Sequence, residues 1–182
     1  MGRPQRTLPR GSIAHVTNRG VAGQVIFRTD ADRRVFLWLV QRQVEKRGWD
    51  CHGYCLMDNH YHLLIQAPRG DVSRGMQAIG GAYSNMFNRA NTRTGHVFEG
   101  RFGAALVEQQ QHALELARYI ALNPVRAGLV DRPERWPWSS YACLHSVRWL
   151  FPGLRSDWFI EQFGGRGGLV RFVESGLAVS GT

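Results

Sequence analysis

His60 and His62 stand one residue apart in the stretch LMDNHYHLLIQ, residues 56–66. The apolar run Leu63-Leu64-Ile65 behind them reads as a strand, and side chains alternate between the two faces of a strand. Both imidazoles therefore point one way and Tyr61 the other. Two imidazoles so placed are either a metal site or an accident of the surface. A second group lies in QQQHALELARYIALN, residues 109–123. At helical spacing its apolar face runs through Ala113, Leu116, Ala117 and Ile120. Tyr119 and Asn123, four residues apart, stack on one another on a polar face shared with His112 and Glu115. A tyrosine off the core is, by itself, more often a boundary residue. Together with the histidines it gains a chemistry. Two imidazoles and a carboxamide oxygen make an open, three-ligand site for a divalent metal, which can hold a phosphate oxygen as a Lewis acid. A tyrosine beside it can attack the polarised phosphorus and form a covalent phosphotyrosine. An ordinary tyrosine ionises at a pKa of about 10, so this reading requires positive charge nearby. Phosphoryl transfer asks for little beyond positioning and charge neutralisation, and four residues are a sufficient core.

The elements that must position these groups follow from patterning. SIAHVTNRG (12–20) reads as a strand ended by a turn. Residues 30–48 have an acidic start, apolar residues at Val35, Phe36, Leu39, Val40 and Val44, and a closing Gly48, which predicts a helix. Residues 49–57 and 60–67 read as two strands joined at Asp58-Asn59. A helix is expected over 71–90, weakened by Gly75, Gly80 and Gly81, then a strand over 101–107. The helix at 109–123 is expected to stop at Pro124. The order β-α-β-β-α-β is that of a ferredoxin-like split unit, giving an α/β fold with an antiparallel sheet, an added helix carrying Tyr119, and a C-terminal extension. DRPERWPWSSYACLH is expected to pack against this domain. Beyond Ser146 the pattern fades: SDWFIEQF reads as a helix, GGRGG as a flexible joint and LVRFVESGL as a last short helix. There is no internal repeat and no heptad pattern.

The chain has 182 residues and is 43% hydrophobic, enough for one core with an appendage. Its formal charge is +9 and its pI about 10.5, which favours a polyanionic partner. Lys46 is the only lysine, so the charge is almost all arginine, a side chain suited to phosphate forks and base stacking. A GC-rich genome produces the same replacement, so the sign of the charge is more informative than the ratio. Three cysteines, Cys51, Cys55 and Cys143, read as reduced thiols of an intracellular protein. The basic start MGRPQRTLPRG lacks the apolar run of a signal peptide, and no stretch suggests a membrane partner.

YCLMDNHYHLLIQAP, SRGMQAIGGAYSNMFNRANTRTGHVFEGRF and LELARYIALNPVRAGLV with its following WPWSSY resemble the single-tyrosine transposases with the HUH motif (His, bulky hydrophobe, His), above all the REP-associated ones. The resemblance covers roughly residues 1–145, leaving 146–182 as an extension without an assigned role. It makes His60-Tyr61-His62 the HUH motif, Tyr119 the catalytic tyrosine and Asn123 the third metal ligand. It implies cleavage and rejoining of single-stranded DNA carrying a hairpin, such as a REP-like palindrome. The 5′ phosphate is taken by the tyrosine and a 3′ hydroxyl is left free, with Mg²⁺ or Mn²⁺ on the histidines and the protein a monomer or homodimer. Two positions depart from the family: Glu99 stands where a neutral glutamine is common, and Gly103 where a basic residue often follows the aromatic. Both remove positive charge from the DNA surface that the resemblance implies.

Other readings attach to the same residues. Cys51, Cys55, His60 and His62 could form a structural zinc site, making the chain a nucleic-acid module without catalysis, although their C-x₃-C spacing on a strand would splay the thiols. A hairpin-binding regulator that keeps the scaffold and does not cut is the alternative from another functional class. Arg19, Arg74, Arg89, Arg93, Arg101 and Arg126 flank the site in sequence and are candidate phosphate contacts. Phe87, Phe98 and Phe102 could stack on unpaired bases or belong to the core. Glu115 could orient a ligand or handle a proton, against a plainer reading as a solvated carboxylate. His15 could lie near the site; His52, His96, His112 and His145 are assigned no role.

Overall fold

The structure, a computed structural model, describes residues 8–145 and 151–177. The first seven residues of the basic arm, and the start of the extension at 146–150, lie outside the described residues. The elements are β1 (Ile13–Arg19), α1 (Asp30–Arg47), β2 (Asp50–Leu56), β3 (His60–Gln66), α2 (Val72–Ala90), β4 (Gly103–Val107), α3 (Gln110–Arg126), α4 (Asp157–Gln162) and α5 (Arg166–Ser175). The strands form one antiparallel sheet in the order β2-β3-β1-β4. Interleaving two β-α-β halves puts β1 and β3 side by side at the centre, and the ferredoxin-like expectation is met.

Strand alternation divides the sheet into two faces of different character. Ala14, Val16, Tyr61, Leu63 and Ile65 meet Phe36, Val40, Ile79 and Tyr83 of α1 and α2 in the main core. The other face carries Ile13, His15 and Thr17 of β1 with His60, His62 and Leu64 of β3. There α3 packs Ala113 and Ile120 over Leu64 and Val107 in a smaller cluster. α1 is fixed at its start by a reciprocal capping box between Thr29 and Asp32, and at its end by Gly48 in the left-handed region (φ 64°). α2 approaches the core through Gly75, where a Cβ would lie 2.0 Å from Cη2 of Trp49. The glycine that weakens the helix is what lets the indole fit beneath it.

Two expectations are corrected, and two readings left open by the sequence are decided. α3 runs through Pro124 to Arg126. The proline removes only the amide that would bond Ile120, and the last turn still closes through Ala127 N–H to Asn123 and Leu129 N–H to Pro124. Phe87, Phe98 and Phe102 are 2%, 9% and 9% exposed; they belong to the core. The GGRGG segment is not a joint throughout, because α5 begins at Arg166 and the turn is made by Gly164 and Gly165 alone, both at positive φ. Finally, a bulge between Cys51 and Gly53 turns the two thiols to opposite faces, Cys51 into the main core and Cys55 under α3. The zinc set therefore does not assemble.

The Trp- and Pro-rich segment closes the free edge of β2. Leu56 N–H donates to Trp138 and Ser140 N–H to Tyr54, at 2.9 and 2.8 Å, so an edge that would invite another chain is covered. Further on, Arg155 N–H bonds Cys51 (2.7 Å). α5 packs Leu169 and Val173 on Ala121 and Leu122 of α3.

Candidate active site

The register of the sheet brings the histidines together. His62 pairs across from Thr17 and His15 from Leu64, so His15 and His62 are diagonal neighbours on one face. Nε2 of His15 lies 2.9 Å from Nδ1 of His62. The rings of His60 and His62 meet edge to face with centroids 5.1 Å apart. From α3, the Tyr119 ring stands perpendicular to that of His62 at 5.6 Å. Asn123 places its amide nitrogen 3.3 Å from His62 Nε2, and its side chain also bonds His60. The four residues predicted from spacing converge.

The loop before β3 is held on every side. Asp58 C=O accepts from Ile26 and Phe27 N–H (2.9 and 3.0 Å), and Asn59 C=O from Gly20 N–H (2.8 Å). The Asp58 carboxylate pairs with Arg33, a buried guanidinium that packs over Phe27, Trp136 and Trp138. Asn59 donates through Nδ2 to Gly23 C=O (3.2 Å), which fixes its carboxamide so that Oδ1 faces Nδ1 of His60 at 2.7 Å. An amide oxygen only accepts, so His60 carries its proton on Nδ1 and leaves Nε2 as a lone pair.

Burial keeps these imidazoles uncharged. It lowers the His62 pKa to about 3, with the neighbouring His15 and His60 adding to the effect, and lowers His15 to about 4, helped by His112. His60 is lowered as well, first by burial. Neutral imidazole is the ligating form. Among the described residues no three His, Cys, Asp or Glu side chains gather as a metal site; the third polar group beside the two imidazoles is the carboxamide of Asn123. Two lone-pair nitrogens and an amide oxygen fit a divalent ion that accepts nitrogen and oxygen ligands.

His15, His60, His62 and Tyr119 line a cleft of about 770 Å³ together with Thr17, Arg19 and Arg101. Tyr119 is 42% exposed and faces the cleft, and the Arg126 guanidinium lies 5.6 Å from its ring centre. A second cavity of about 860 Å³, along α2 and the 95–102 loop, shares Asn18, Glu99, Gly100 and Arg101 with the first. Of the six arginines predicted to meet phosphate, Arg19 and Arg101 line the cleft, and Arg126 lies beside it at the Tyr119 ring. Arg74 and Arg89 are exposed on α2, behind the sheet. Arg93 donates to Gln24 (2.6 Å) and packs near Phe87. Glu115 is paired with Arg118 on the surface of α3. His52 bonds Arg155 C=O and Gln66, each at 2.9 Å, a structural role.

Both departures noted in the sequence lie in the cleft. Glu99 is exposed on its rim, its N–H bonded to Arg19 C=O (2.9 Å). At Gly103 a Cβ would come within 2.8 Å of Thr17 Oγ1, so a basic side chain there would displace Thr17. Asn59 and Arg33 were missed by sequence reasoning, and His15 was not counted in the site. The one signal available was alternation along residues 12–20, which puts His15 and Thr17 on one face without saying which strand lies beside them.

A protein of Haemophilus influenzae named for the REP-associated tyrosine transposases is 30% identical over 101 residues, 48% of this chain and 56% of that protein. The chain thus spans little more than half the length of that relative. The solved structure of a REP-associated tyrosine transposase bound to a REP hairpin is similar with a TM-score of 0.63 at 19% identity, over 84% of this chain and 89% of that one. That likeness is one of fold. A protein of Deinococcus radiodurans named for the transposases matches with a TM-score of 0.43 at 16% identity, over 66% of this chain and 95% of that one. Residues 13–123 match the family described as "Transposase IS200 like". That span runs from the first residue of β1 to Asn123, takes in every strand of the sheet, and places this chain in the IS200-like transposase family.

Proposed function

We propose that this chain cuts and rejoins single-stranded hairpin DNA through a covalent 5′-phosphotyrosine on Tyr119. The convergence of His60, His62 and Tyr119 on one open cleft, with Asn123 against His62, carries the reading. Membership of a transposase family supports it, and so does the hairpin named for the similar solved structure. His60, His62 and Asn123 would hold Mg²⁺ or Mn²⁺, which when bound supplies Lewis-acid polarisation of the scissile phosphate.

The chain's own residues do the rest. The Tyr119 hydroxyl attacks phosphorus, forming an O–P bond as the bond to the 3′ oxygen breaks. Tyr119 gives up its proton, and the departing oxygen gains one to become a 3′ hydroxyl. Attack by a 3′ hydroxyl on the phosphotyrosine reverses the exchange and rejoins a strand without outside energy. Arg126, Arg19 and Arg101 oppose the phosphate charge, and the adjoining cavity along α2 gives the flanking unpaired nucleotides a path. Residues up to 145 form the catalytic unit on this reading, and α4 and α5 buttress the helix that carries the nucleophile.

The test is a denaturing gel of the protein incubated with a labelled single-stranded hairpin from its own flanking DNA and Mn²⁺. A covalent adduct is expected that disappears with Tyr119→Phe, with His62→Ala and with a chelator. Tight, salt-sensitive binding without adduct or nick would replace the transferase by a hairpin-binding regulator.

A further inference from the structure

We propose that His15 is a positioning residue: it accepts the Nδ1 proton of His62 and so holds the His62 Nε2 lone pair toward Asn123 and the metal position. The proposal rests on the assignment of His62 as a ligand made above. A ligating histidine uses one ring nitrogen, and the hydrogen bond made by the other selects the tautomer and fixes the ring. For His60 the partner is the Asn59 oxygen in the same loop. His62 has no such neighbour in sequence, and its Nδ1 faces the next strand.

The protons can be followed atom by atom. Asn123 turns its amide nitrogen, a donor only, to His62 Nε2 at 3.3 Å. Nε2 is therefore the acceptor, and the proton of the neutral ring lies on Nδ1. That nitrogen lies 2.9 Å from His15 Nε2, which accepts, leaving the proton of His15 on its own Nδ1. The two rings are parallel to within 10° with centroids 5.2 Å apart. That separation is the 2.9 Å contact plus the two ring radii, so the rings meet edge to edge along the hydrogen bond and not face on face. His62 is 5% exposed, and a buried ring nitrogen without a partner would be costly, which makes the contact a firm constraint on the ring. Asn59 and His15 thus act in parallel, one on each histidine of the pair, and both Nε2 atoms are left without a proton.

Two readouts test this in the full-length protein. Long-range ¹H–¹⁵N NMR of the histidine-labelled, metal-free chain at neutral pH should find His62 protonated on Nδ1 and His15 protonated on Nδ1. A His62 proton on Nε2 would overturn the proposal without any variant. The second readout is Mn²⁺ affinity by EPR titration. His15→Phe keeps a ring and removes the acceptor, and should weaken binding about 10–100-fold. His15→Gln, whose Oε1 can take the place of Nε2, should recover most of it. Equal Mn²⁺ binding by wild type and His15→Phe would refute the positioning role. If the wild type binds no Mn²⁺, the metal assignment of the proposed function fails, while the tautomer measurement still decides whether His15 clamps His62.

Discussion

Arg126 follows Tyr119 by two turns of α3 and lies over its ring at 5.6 Å. On the proposed mechanism an attacking phenol and a phosphodiester bring negative charge to one place, where arginines stand at three points: Arg19 at the end of β1, Arg101 before β4, and Arg126 at the end of α3. The neighbour of the nucleophile should matter to the rate more than to binding, because charge on the attacking oxygen and the phosphate reorganises during the reaction. Arg126→Gln keeps a polar side chain and removes the charge. Its single-turnover cleavage rate should fall roughly 10- to 100-fold, in the range lost with one charge-stabilising donor, while hairpin affinity changes less than about tenfold. A rate that stays at the wild-type value with affinity alone reduced would make Arg126 an ordinary phosphate contact. Glu99 acts in the opposite sense, an exposed carboxylate on the rim of the same cleft.

At the scale of elements, α2 holds two glycines with opposite roles. A methyl group at Gly75 would meet Trp49 Cη2 at 2.0 Å, and the indole cannot swing away because its Nε1 donates to Asp71 at 2.8 Å while Asp71 also pairs with Arg47. Gly75→Ala should therefore destabilise by about 2 kcal/mol, overpacking outweighing the gain in helix propensity. At Gly81 nothing lies within 4 Å of the added Cβ, and Gly81→Ala should stabilise by about 0.5–1 kcal/mol. Urea denaturation of the two variants checks both signs; a more stable Gly75→Ala would sink the packing account. From sequence, Gly75, Gly80 and Gly81 read alike, since propensity is local and the approach of Trp49 is not. The same division separates what was legible from what was not. His60 and His62 share a face by strand alternation, and Tyr119 and Asn123 by helical period, so the pairs could be read directly. The β-α-β-β-α-β order likewise followed from local periods. His15 and Asn59 could not be placed, because their roles depend on which strand lies beside β3 and on how the loop at 58–59 is pinned to residues 20–27. The bulge that separates Cys51 from Cys55, and the burial of Phe87, Phe98 and Phe102, are also products of packing. Pro124 misled because a proline in the last helical turn costs one hydrogen bond and need not end the helix.

The molecule as a whole spends one sheet face on its core and gives part of the other to a cluster of buried, uncharged imidazoles. That choice has a consequence for stability. Burial lowers His62 to about 3 and His15 to about 4, and lowers His60 in the same direction, whereas an unfolded histidine titrates near about 6.5. Between these values the unfolded chain binds protons that the folded chain refuses. Stability therefore rises with pH across that window, is fully present above about 6.5, and is lost as the pH falls toward 4 and 3. The metal-free protein should show a melting temperature that is level near neutrality and declines as the pH is lowered from about 6.5 to 4. A double variant, His15→Gln with His62→Gln, should lose much of that slope, since glutamine does not titrate. Mn²⁺ should raise the melting temperature near neutrality, because a ligand that binds only the folded chain stabilises it. The increment should shrink in acid, where protonating the imidazoles withdraws the lone pairs that bind it. Thermal melts at several pH values, with and without Mn²⁺, read all three effects. A wild-type melting temperature that is unchanged or higher at pH 4 than at pH 7 would mean that the buried imidazoles do not set the acid stability of this fold.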